Sequence, residues 1–97
     1  MITATQHCKV FSKEHTETPI ADVTASIFEN GRFWHGSFLV STEELVRFGL
    51  DIAENLHEFL IQLDDGRRST FIENRREVRF GERGIRLHVM GTKALQV

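Results

Sequence analysis

The chain has 97 residues, 40% of them hydrophobic and 27% charged, with seven glycines, one proline and a formal charge of −2. That length suits one domain around one core, and that mix excludes a disordered or fibrous chain. The single cysteine, Cys8, excludes an internal disulfide, and the opening Met1 to His7 has neither the basic nor the apolar region of a secretory signal, so the cytoplasm is the expected compartment.

Charge interrupts every apolar run well before the roughly 18 residues a membrane helix needs, so no membrane role is expected. The net charge hides an asymmetry. Residues 1–66 carry four basic and eleven acidic side chains, a balance of −7, whereas residues 67–97 carry eight basic and three acidic, a balance of +5. Arginine dominates the basic third, and its planar fork suits carboxylates and phosphates. On strands these arginines would face solvent and pair with an acidic helix or with Glu73 and Glu77.

In chain order, Ile2, Ala4, Cys8 and Val10 fall on alternate residues, which marks a first strand. A charged loop follows and ends at Pro19. Asn30-Gly31 predicts a two-residue hairpin turn, which would set Ile27 opposite Trp34, Ala25 opposite Gly36, Val23 opposite Phe38, and Ala21 opposite Val40. One face of that hairpin is wholly apolar, and its small residues leave room for a helix. On the reverse face Ser26 would oppose His35, and Phe28 would oppose Phe33, with Leu39 further along. That apolar end, Phe28, Phe33 and Leu39 with His35, is the candidate surface for a protein partner or a second copy.

Ser41 and Glu44 have capping-box spacing, with Val40 and Leu45 placed as a hydrophobic staple. Leu45, Gly49, Ile52, Leu56, Phe59 and Leu63 form a stripe at helical spacing, so the predicted helix runs from Thr42 to about Leu63 and stops at Asp64-Asp65-Gly66. A competing reading ends the helix near Asn55 and pairs a strand, His57 to Leu63, with Arg68 to Ile72. The unbroken stripe favours the long helix. Thr70 to Phe80 then alternates with an irregularity near Asn74, and a turn at residues 81–84 would set Phe80 opposite Ile85 and Val78 opposite Leu87 on a buried face. Ala94 to Val97 can add a short edge segment. The expected fold is therefore α+β, an antiparallel sheet of about five strands packed on one long amphipathic helix, in the order β-β-β-α-β-β.

Little in this pattern carries chemistry. The histidines at 7, 15, 35, 57 and 88 lack metal-ligand spacing, and His7 and Cys8 point to opposite faces of one strand, so no metal is expected. No glycine-rich loop joins a strand to the helix, so no nucleotide cofactor is expected. Cys8 reads as an inert buried hydrophobe. His35, with Ser26 and Ser37 on its face, is the nearest approach to a small-ligand pocket, but no titratable group has a partner at fixed spacing, and an enzyme is not expected. Arg75, Arg76, Arg79 and Arg86, interleaved with Phe71 and Phe80, form a candidate basic surface. The acidic helix and a pI near 6.2 argue against nucleic acid as its ligand.

The stretch Gly31-Arg32-Phe33-Trp34-His35-Gly36-Ser37-Phe38-Leu39-Val40-Ser41-Thr42-Glu43-Glu44-Leu45, with Phe71-Ile72-Glu73-Asn74 downstream, resembles small bacterial immunity proteins of the WapI type. In that pattern an aromatic strand runs directly into a helix, and a Phe-x-Glu element follows. The chain departs from it by lacking the proline of the second element and by having Val40-Ser41 where the pattern has Leu-x. The resemblance implies a stoichiometric inhibitor that masks a toxin without catalytic residues. Together with the missing catalytic constellation, it sets the expectation of a bacterial protein that binds a protein partner, as an immunity-type inhibitor or mobile-element accessory, and homodimer formation is one form of that contact.

Overall fold

The computed structural model describes residues 2–13, 16–44, 46–47 and 58–96. Among the described residues six strands carry the fold: β1 Ile2–Ser12, β2 Ala21–Asn30, β3 Phe33–Val40, β4 Phe59–Leu63, β5 Arg68–Glu77 and β6 Ile85–Gly91. All pairings are antiparallel, and the sheet closes on itself in the order β1-β2-β3-β6-β5-β4. Closure removes the unpaired edges that an open sheet would expose.

The interior is built by alternation. Cys8 and Val10, then Val23, Ala25 and Ile27, then Trp34, Phe38 and Val40, then Phe59, Ile61 and Leu63, then Phe71, and finally Leu87 and Val89 are buried in one cluster to which every strand contributes. Phe71 is its hub. Its ring stacks on Phe59 at 5.6 Å and meets Phe38 and Trp34 edge-on at 6.0 and 6.3 Å. Each large side chain buried here contributes about 1.5–3 kcal/mol by leaving water. Trp34 plugs one end of the barrel, donating from Nε1 to the Lys93 carbonyl at 2.9 Å and to Ser69 Oγ at 3.1 Å. Its indole lies where a side chain on Gly91 would be, so Gly91 has to lack one.

These strands overturn the α+β expectation and its long helix. Residues 42–44 and 46–47 are helical, and the capping box forms as read: the Ser41 amide donates to Glu44 Oε1 at 2.8 Å and the Glu44 amide to Ser41 Oγ at 3.1 Å. The staple partner Leu45 and the helix body over residues 48–57 lie outside the described residues. Beyond them the helical stripe fails, because Phe59–Leu63 is strand β4, held between β1 and β5. The competing reading, a strand paired with Arg68 to Ile72 through the Asp65-Gly66 turn, is the one the fold adopts. The reason is physical: a helix there would leave the facing edges of β1 and β5 without backbone partners, whereas a strand satisfies both. Gly66, at φ +93°, serves that hairpin rather than a helix end.

Both hairpin registers differ from expectation by two residues. In β2–β3, Ile27 pairs with Gly36, Phe28 with His35, Ser26 with Ser37 and Asn30 with Phe33, so the loop is Gly31-Arg32 rather than Asn30-Gly31. Gly31 has φ +64° while Arg32 has no positive φ, the sign pattern of a type II′ turn, which takes glycine at its first central position. Because the slip is even, the apolar face survives intact. A Cβ at Gly36 would meet the Ser26 carbonyl oxygen at 2.6 Å and Ile27 Cδ1 at 3.2 Å, so the strand pairing itself requires the glycine.

In β5–β6, Leu87 pairs with Arg76 rather than Val78, and Ile85 with Val40 of β3 rather than Phe80. β5 ends at Glu77, and Val78 and Phe80 stand in solvent, 77% and 109% exposed. The irregularity expected at Asn74 is present, since the register shifts between Glu73 and Arg75. The terminal segment adds one bridge, Gln96 to Arg68.

No described helix is long and apolar enough to cross a membrane. Two outcomes check this packing. Gly91→Ala displaces a buried, hydrogen-bonded indole and is expected to cost about 1–3 kcal/mol, read as a lower urea midpoint with an unchanged slope. Burial pushes the Cys8 thiol up to about 11, leaving about a thousandth as thiolate at pH 8. A thiol reagent should therefore modify Cys8 only as fast as the protein unfolds.

Candidate binding face

Paired residues in a sheet share a face, so the registers locate every outward side chain. Across β2, β3, β6 and β5 one outer row reads Phe28, His35, Met90 and Ile72. The next reads Ser26, Ser37, His88 and Arg75, and a third holds Leu39, Arg86 and Glu77. Phe33 lies two residues before His35 on the same side and is 77% exposed, and Met90 is 48% exposed. The Phe28 and His35 rings stack at 4.9 Å with 12° between their planes.

The fold therefore brings Phe28, Phe33 and His35 together at one end of a single face, although Phe28 opposes His35 and not Phe33. Leu39, half-buried, sits two rows away beside Arg86. The four candidate arginines separate. Arg75 and Arg86 share the outer face. Arg76 lies on the other side of the strand, because the extra residue at Asn74 reverses the alternation and sets it with Glu73, which it meets at 2.5 Å. Arg79 falls beyond the end of β5.

Charge on and around this face is largely neutralised in place, as the pairing with Glu73 and Glu77 anticipated. Arg86 meets Glu82 at 2.5 Å and donates to Ser37 Oγ at 3.3 Å. Glu77 accepts from Arg79 at 3.1 Å and lies 2.7 Å from His88 Nε2. The Arg79 guanidinium, and then His88, hold the Glu77 carboxyl down to about 2. Arg75 alone of the four has no carboxylate within 4.0 Å among the described residues. It borders an open depression of about 360 Å³ that His35, Asn74, His88 and Met90 also line. Ser37 Oγ is engaged by Arg86 and makes no hydrogen bond to the adjacent His88, so these two residues do not form a nucleophile and base.

Away from this face, the His7 ring is held between Asp22 and Asp64, tying β1 to β2 and to the β4–β5 turn. Arg67 performs a similar service, reaching Glu29 at 2.7 Å and Asp65 at 2.9 Å. Among the described residues no three His, Cys, Asp or Glu side chains converge as metal ligands.

Met90, His88, Asn74 and Ile72 were not singled out from the sequence as one surface with His35. The signal was partial. Placing Asn74 as a bulge gives the parity that faces Arg75 outward, but only the pairing of β3 with β6 sets His35 beside Met90.

The Glu77 arrangement has a titration signature. Its depressed carboxyl favours the folded state above the ordinary carboxylate range, and that contribution is lost as pH falls from about 4.5 toward about 2. A carboxyl-carbon NMR titration should show Glu77 still ionised at pH 4, and Arg79→Ala should move its midpoint upward. Comparison with protein-family models, with curated proteins and with solved structures finds no match for this chain.

Proposed function

We propose that this chain is a small non-catalytic bacterial binding protein, working in the cytoplasm through protein–protein contacts made by the outer face of β2, β3, β6 and β5. One observation carries the reading: the row Phe28, His35, Met90 and Ile72, with Phe33 beside it, keeps apolar surface on the outside of the barrel, with Phe33 77% and Met90 48% exposed. Contiguous exposed apolar surface rimmed by polar groups is the mark of an interaction site. Aromatic residues, methionine and arginine are the side chains enriched at such contacts. An immunity-type inhibitor, the role implied by the resemblance over Gly31 to Leu45 and Phe71 to Asn74, is one form this function takes, and a second copy of the chain is one partner the face accepts.

The pairing of charges favours a protein over nucleic acid. Phosphate binding needs cations free to replace counterions. Arg76, Arg79 and Arg86 are already held by Glu73, Glu77 and Glu82.

Phe33→Asp and Met90→Glu change exposed side chains, so both variants should keep the parent's melting temperature. The parent should either retain one stoichiometric protein from its native cytosol or self-associate in light scattering, and both variants should lose that contact. Retention unaffected by either substitution, or a monomeric parent that retains nothing, rejects the reading.

A further inference from the structure

Arg75 stands apart from its neighbours in a way the fold explains. The bulge at Asn74 turns it onto the outer face in the row with His88 and Ser37, while Arg76 turns the other way and takes Glu73. The carboxylate nearest in register, Glu77, is taken by Arg79 and His88. A guanidinium that makes no ion pair within 4.0 Å among the described residues, and feels Glu77 only through space, is thus set at the rim of a depression of about 360 Å³. Pockets for small ligands and side chains begin at roughly that size.

The surroundings suit one chemistry. A guanidinium presents two parallel N–H donors that match a carboxylate. The Asn74 amide adds a donor at the same rim, and His35 brings a ring nitrogen. Met90 and the His35 ring, which Phe28 backs at 4.9 Å, supply an apolar side to the depression. We infer that this depression receives a carboxylate from the partner protein, an aspartate, a glutamate or a chain terminus, with Arg75 as its counter-charge. The inference rests on the binding-face reading above and names the group that the face recognises.

Acetate tests it without the partner. In a titration at constant ionic strength, with chloride as the balancing anion, amide and arginine Nε signals of His35, Asn74, Arg75 and His88 should shift and saturate. Arg75→Gln should weaken that binding at least tenfold, whereas Arg76→Gln, which alters the neighbouring arginine on the other side of the strand, should leave it unchanged. Shifts that never saturate, or that persist in Arg75→Gln, overturn the inference; the binding face itself is judged separately by Phe33→Asp, which lies outside the depression. A capped tripeptide with a central aspartate identifies the source of the group. Binding at least tenfold tighter than acetate assigns the carboxylate to a protein, and equal or weaker binding assigns the site to a free small carboxylate and overturns the partner clause.

Discussion

Strand β4 is the piece on which the rest depends. It is only five residues long, yet it pairs with β1 through Cys8–Leu63, Val10–Ile61 and Ser12–Phe59, and with β5 through Phe59–Phe71 and Ile61–Ser69. Without it the sheet is an open ribbon with two long edges, and the apolar faces of β1 and β5 have nothing opposite them. With it, Phe59 lands against Phe71, and Phe71 in turn gathers Phe38 and Trp34 from the far wall. Backbone pairing and aromatic packing therefore reinforce each other at the seam, since the register that closes the ladder is also the register that stacks the rings.

Closure has a consequence outside the barrel. The closed sheet turns Val10, Ile27, Phe38, Ile61, Phe71 and Leu87 into one core and leaves the alternate residues on its outer surface. There the same pairing that aligns Phe38 with Leu87 inside aligns His35 with Met90 and Ser37 with His88 outside. The bulge at Asn74 then decides which arginine joins them. One extra residue sends Arg75 outward and Arg76 to Glu73, and so separates an arginine in a salt bridge from one that makes none among the described residues.

The sequence was informative about faces and poor at registers, for a single reason. Alternation with period two reports which side of a strand a residue occupies, and that is unchanged when a partner slides by two. Ala21, Val23, Ala25, Ile27, Trp34, Phe38 and Val40 were therefore assigned to the buried face correctly, although Ile27 lies beside Gly36 and not Trp34. The turn sets the register, and here glycine occupies the first central position where Asn-Gly had suggested the second. The same slip left Val78 and Phe80 in solvent, because their parity was right but β5 stops before them.

Local chemistry was legible wherever it depended on a few neighbouring residues. The Ser41–Glu44 capping box, the irregularity at Asn74 and the burial of Cys8 could all be read from the chain. The fate of Phe59 to Leu63 could not, because a separation of four residues satisfies a helical stripe and a strand face equally. Only the tertiary structure chose between them, since the choice turns on whether β1 and β5, distant in sequence, need a common neighbour to satisfy their backbones. The pattern of side chains thus determined what each segment would bury, and the closing of the barrel decided what it would be buried against.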